Sequence, residues 1–110
     1  MARPKPDMIK GTLDMLILKV VSLEPIHGWG ISERIQGMSE HRLRVNQGSL
    51  YASLQRLTRE GWIRSSWLTT ENNRRARYYS LTKAGERQLG VETERWGRLA
   101  GAVQLILATG

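Results

Sequence analysis

Nine basic side chains fall between positions 42 and 83: Arg42, Arg44, Arg56, Arg59, Arg64, Arg74, Arg75, Arg77 and Lys83. Glu60 and Glu71 are the acids of that stretch, which therefore carries +7. The flanks hold eight basic and eight acidic residues and cancel, so the whole net charge of +7 has one address. Eight of the nine are arginine, whose planar fork of donors suits phosphate oxygens and guanine edges better than a lysine point charge. A charge run alone is by default a solvated face, so its companions decide the reading. Gln47, Gly48, Ser49 and Ser53 add neutral groups able to address base edges. Tyr51, Arg56 and Arg59 suit phosphates. Asn72, Asn73, Arg74 and Arg75 form a second polar cluster. The chemistry on offer is recognition of an anion, a nucleic acid or an anionic membrane surface.

Other chemistries lack their residues. With no cysteine there is no thiolate nucleophile, disulfide or cysteine-based zinc site. His27 and His41 stand too far from other ligands for a metal, which normally needs three or four. No glycine-rich loop is followed by Lys-Ser/Thr, and no acid/base pair is evident, so no catalytic residues, cofactor or metal are expected. No apolar run approaches the ~18 residues of a membrane span. The N-terminus lacks the apolar stretch of a signal peptide, so a cytoplasmic location is expected. At 110 residues the chain is one compact unit by length.

Elements must place those groups. Residues 8–23 are dense in Leu, Ile, Met and Val. Leu13, Leu16, Ile17, Val20 and Val21 fall at helical spacing, while Leu18 and Leu23 widen the apolar face, so this helix is buried against several neighbours. Thr12 is read as its N-cap and Asp14 as a first-turn acid favoured by the helix dipole. Pro25 ends it. After a turn at 24–28, Ile31, Ile35 and Met38 mark a second helix over 29–38, with Ser32, Glu33, Arg34 and Gln36 toward water. Residues 43–45 alternate as a short strand would. Asn46 caps a third helix, about 46–60, on which Leu50, Leu54 and Leu57 form one stripe and Gly61 supplies the stop. The runs 62–68 and 75–81, rich in Trp, Tyr and Ile around a polar joint, predict a β-hairpin. Trp62 and Trp67 are assigned to wing and core packing. Thr82 caps a last helix to about 108. On it Leu89, Trp96 and Val103 repeat every seven residues, as do Leu99 and Ile106, with Glu92 breaking the heptad. Gly97 and Gly101 permit a close neighbour.

Two short helices followed by a helix with one apolar and one arginine-bearing face form a helix-turn-helix, and a basic hairpin after it makes a winged helix. The expected fold is mainly α with a small β-wing. A winged helix-turn-helix unit spans 1–82, with its recognition helix at 46–60 and its wing at 62–81. A C-terminal pairing helix spans 83–110. In such folds the N-terminal residues of the second helix reach base edges in the major groove. The last helix has nothing left in a small monomer to cover its stripe. A two-fold homodimer is therefore expected, paired through Leu89, Trp96, Leu99, Val103 and Ile106 of that helix.

Four separated motifs occur in order: Gly11, Thr12, Leu13 and Asp14; His27 to Ile31; Gly48, Ser49, Leu50 and Tyr51 with Leu54, Leu57, Gly61 and Ile63; and Arg77 to Gly85. In these the chain resembles PadR-type transcriptional regulators, and in its length their short subclass. The resemblance implies a homodimeric repressor that binds double-stranded DNA and is released by a small effector, with pairing through the first and last helices, which adds Leu13 and Leu16 to the pairing residues. It also implies a second role for Trp96. Beyond anchoring the pairing core, the preferred reading, Trp96 could stack a flat aromatic effector between subunits. From the winged-helix arrangement itself the hairpin tip, with Asn72, Asn73, Arg74 and Arg75, reaches the backbone or an adjacent minor groove, and Arg77 joins the DNA-facing set. Two departures stand out: Trp29 where the family usually has Tyr, and Gln47 where it often has Pro. A winged-helix RNA binder or a protein-interaction module without an effector is the alternative.

Overall fold

A computed structural model of the protein describes residues 10–110. Four helices and three strands follow one another as α1 (Lys10–Leu23), β1 (Ile26–His27), α2 (Gly28–Met38), α3 (Gln47–Arg59), β2 (Ile63–Thr69), β3 (Arg75–Leu81) and α4 (Lys83–Leu107). The mainly α fold with a β-wing stands as expected. Positions 8 and 9 of the first expected helix lie outside the described residues.

The breadth of apolar spacing on α1 has its explanation in its neighbours. Leu13, Ile17, Leu18, Val20 and Val21 are all buried, and the helix packs against α2, α3, α4 and β3. Burying side chains of this size contributes about 1.5–3 kcal/mol each. The start of α1 differs from the sequence reading. The chain is already helical at Lys10, so Thr12 lies inside the helix rather than capping it, and Asp14 is not a first-turn acid. Asp14 instead accepts a 2.5 Å hydrogen bond from Arg56 of α3.

The segment 24–28 is more than a turn. Ile26 and His27 pair antiparallel with Tyr79 and Tyr78, giving a sheet of order β1-β3-β2. Two residues are too few to show a period of two. His27 then caps α2: its Nδ1 accepts from the Gly30 amide at 3.0 Å. Ile31 and Ile35 are buried as expected, but so is Ser32, which does not face water.

Residues 43–45 are not a strand. Their amides find partners on α2 and its C-cap instead. The Val45 amide donates to Gln36 Oε1 at 3.1 Å and the Leu43 amide to Ser39 Oγ at 3.1 Å. Gln36 is thus half-buried in the turn rather than solvated. Glu40 and His41 take the left-handed backbone, at φ 55° and 62°, to reverse the chain.

Asn46 caps α3 by accepting from the Ser49 amide at 2.9 Å. Leu50, Leu54 and Leu57 are fully buried. The helix stops at Gly61, whose φ of 78° suits a residue without Cβ. Strands β2 and β3 pair from Ile63↔Leu81 to Thr69↔Arg75. Thr82 then ties two elements together. Its hydroxyl donates to the Gly61 carbonyl at 2.6 Å and accepts from the Gly85 amide at 3.0 Å. Of the α4 stripe, Leu89 packs on the core. Trp96, Leu99, Val103 and Ile106 are exposed.

Candidate nucleic-acid interface

The core stripe of α3 fixes which residues look outward. With Leu50, Leu54 and Leu57 inward, Gln47, Gly48, Tyr51, Ala52, Gln55 and Arg59 occupy the exposed strip and Ser49 its half-buried flank. Two expected members turn elsewhere. Ser53 is 3% exposed, because its place on the helix wheel is beside α1. Arg56 sits on the same flank. Its guanidinium donates to Asp14 of α1 and, at 3.1 Å, to Ser53 Oγ. Arg56 therefore ties α3 to α1, a structural role that its own helix does not reveal. Gln47 remains exposed at the first turn, where its side-chain amide donates to Ser32 Oγ of α2 at 3.1 Å. That bond orients Gln47 from behind.

The wing stands across from this strip. A cleft of about 700 Å³ opens between the start of α2, α3 and the hairpin. Tyr51 and Gln55 form one wall, and Trp67, Arg74, Arg75 and Arg77 form the other. His27 and Trp29 close one end. Three arginines line it and no carboxylate does. The Tyr51 ring lies so close to Gly28 that an added Cβ there would stand 3.3 Å from it. At the wing tip the Thr70 amide donates to the Arg74 carbonyl at 2.6 Å. Asn73 takes the left-handed backbone at φ 59°, which asparagine tolerates well. Burial raises the Tyr79 phenol above its usual pKa, while the nearby Arg77 pulls it back.

The structure brings together Gln47, Gly48, Ser49, Tyr51 and Arg59 of α3, and sets Asn73, Arg74, Arg75 and Arg77 on the wing. Two cleft residues were given no DNA role from sequence. Gln55 falls on the polar face of the third helix, four residues after Tyr51 and eight after Gln47, but was not counted among the DNA-facing residues. Trp67 is not a core residue: it is 53% exposed, with the Arg75 and Arg77 guanidinium carbons 5.4 and 5.0 Å from its ring centre. Its position directly across from Arg77 was available once the hairpin register was known. Leu13, by contrast, is 3% exposed within its own chain, so its burial is already complete without a partner. Among the described residues no cluster of His, Asp and Glu is arranged to hold a metal. No described helix is long and apolar enough to cross a membrane.

A helix-turn-helix followed by a hairpin wing defines a winged-helix protein. The PadR-like transcriptional regulator family matches residues 17–91, and the chain belongs to that family. Solved structures agree in fold over nearly the whole chain. A Streptococcus mutans protein is 25% identical, with TM-score 0.82 over 94% of this chain and 93% of its own. A transcriptional regulator from Clostridium thermocellum is 26% identical, with TM-score 0.80 over 92% and 97%. A PadR-like transcriptional regulator from Bacillus cereus is 27% identical, with TM-score 0.79 over 94% and 98%.

Proposed function

We propose that the protein is a homodimeric, sequence-specific binder of double-stranded DNA that represses transcription and is released by a small, flat aromatic effector. The observation that carries the DNA reading is the cleft: three arginines and no carboxylate across from the outward strip of α3. A duplex fits this face with α3 in the major groove. Gln47, Gly48 and Ser49 at the helix start then meet base edges. Tyr51, Gln55 and Arg59 meet the backbone on one side, and Asn73, Arg74, Arg75 and Arg77 meet it on the other. Phosphate contacts fix the register and Gln47 reads sequence.

The exposed stripe of α4 supports pairing. Trp96, Leu99, Val103 and Ile106 are 44–72% exposed, and a second copy would cover them. Two-fold pairing sets two α3 helices into successive major grooves, about 34–36 Å apart. The effector reading rests on Trp96 with Gly97 and Gly101, where an added Cβ would meet nothing within 4 Å. In the pairing seam these glycines would leave space beside the indole for a flat ring.

Selection of bound fragments from random duplex DNA, followed by a screen for compounds that release the protein, tests the whole reading. A pseudo-palindromic site and release by a flat aromatic compound are expected. Equal affinity for every fragment would contradict sequence specificity. Release that survives Trp96→Ala unchanged would remove the tryptophan from the effector site.

A further inference from the structure

Trp67 is half exposed at mid-strand on the wing, where a tryptophan gains little from burial. Its register explains the choice. It pairs directly across from Arg77, and Arg75 lies two residues along on the same strand face. Both guanidinium carbons lie within cation–π reach, 5.0 and 5.4 Å from the indole centre. Two like charges held as near neighbours repel each other. The negative face of the indole offsets that repulsion. A guanidinium held by its flat face keeps its in-plane N–H donors directed outward. An unsupported arginine, by contrast, must lose rotamer freedom when it meets a phosphate.

We propose that Trp67 is a positioning residue, which holds Arg75 and Arg77 over the cleft so that both meet one run of phosphates on a duplex seated against α3. The role rests on the duplex-binding reading above. It assigns Trp67 to holding the arginines rather than to a contact of its own with the nucleic acid.

The test is a double-mutant comparison on the full chain, by anisotropy of a labelled random-sequence DNA duplex. Trp67→Leu keeps apolar bulk on the strand and removes the aromatic face. Freeing two arginines should weaken binding about tenfold. Trp67→Tyr, which restores a ring, should recover most of that loss. On an Arg75→Gln, Arg77→Gln background, Trp67→Leu should add less than about twofold, because the residues act as one unit. Equal losses from Trp67→Leu on both backgrounds would overturn the role. A second measurement needs no variant and no DNA. In the wild-type protein the side-chain proton resonances of Arg75 and Arg77 should be shifted upfield by the indole ring current, and those of Arg59 should not. Unshifted resonances would also overturn it. A wild-type protein that binds no duplex would overturn the duplex reading and this role together. Additive losses in a wild type that binds would overturn this role alone.

Discussion

Arg56 shows how a residue's neighbours reassign it. Read from its helix alone, it is one more cation beside a phosphate. In the fold it is about one-fifth exposed and bonded to Asp14, itself 16% exposed. Arg56→Ala is therefore expected to act on stability. The loss should be about 1–2 kcal/mol, between the near-zero of an exposed pair and the 3–5 kcal/mol of breaking a buried one. Chemical denaturation measures it, and DNA binding by the folded variant should keep its salt dependence. Gln47 is expected to behave in the opposite way. Gln47→Ala should change which base pair is preferred, by about 1–3 kcal/mol at one position. Equal losses on specific and random DNA would show that it does not read sequence. At this scale the candidate site was partly legible. The cap Asn46 and the outward Gln47, Tyr51 and Arg59 follow from helical spacing alone. Arg56 and Trp67 do not, because their partners Asp14, Arg75 and Arg77 belong to other elements.

Among the elements, long ones were easiest to read and short ones hardest. The stripes of α3 and α4 repeat over several turns, so propensity and pattern agree. Strand β1 has two residues and no pattern of its own; it exists because Tyr78 and Tyr79 offer a ladder. Residues 43–45 have the alternation but no partner strand, and remain irregular. The junction of α3, β2 and α4 is the tightest place in the wing's support. Thr82 bonds Gly61 and Gly85, and an added Cβ at Gly85 would stand 2.0 Å from the Trp62 carbonyl oxygen. That oxygen is backbone and also accepts from the Thr82 amide, so it cannot move aside cheaply. Gly85→Ala is expected to destabilise the fold by about 1–3 kcal/mol or more through overpacking. A thermal melt checks this, at roughly 4–8 °C per kcal/mol for a chain of this size. A melting temperature unchanged by Gly85→Ala would mean that the junction yields.

The whole molecule is elongated, with principal extents of 57 × 40 × 21 Å, because α4 runs on past its contacts with the core. The sequence divides labour along the same line. Its net charge falls wholly within positions 42–83, which build the turn, α3 and the wing. The segments on either side of it cancel in charge, and the helices they build are apolar on one face. In the proposed dimer the first region meets DNA and the second meets its twin. Trp96→Glu or Leu99→Glu would place charges in the pairing seam, and light scattering at micromolar concentration should then find monomer where the wild type is dimer. A wild type that is itself monomeric would contradict pairing through α4. In this proposal the basic face binds duplex DNA through its phosphates. The most direct measurement is the affinity of the wild-type protein for duplex DNA across a salt series, beside duplex RNA and single strands. The tightest binding should be to duplex DNA, with log affinity falling against log salt at about −0.9 per phosphate neutralised. A flat salt dependence, or a preference for RNA or single strands, would contradict it.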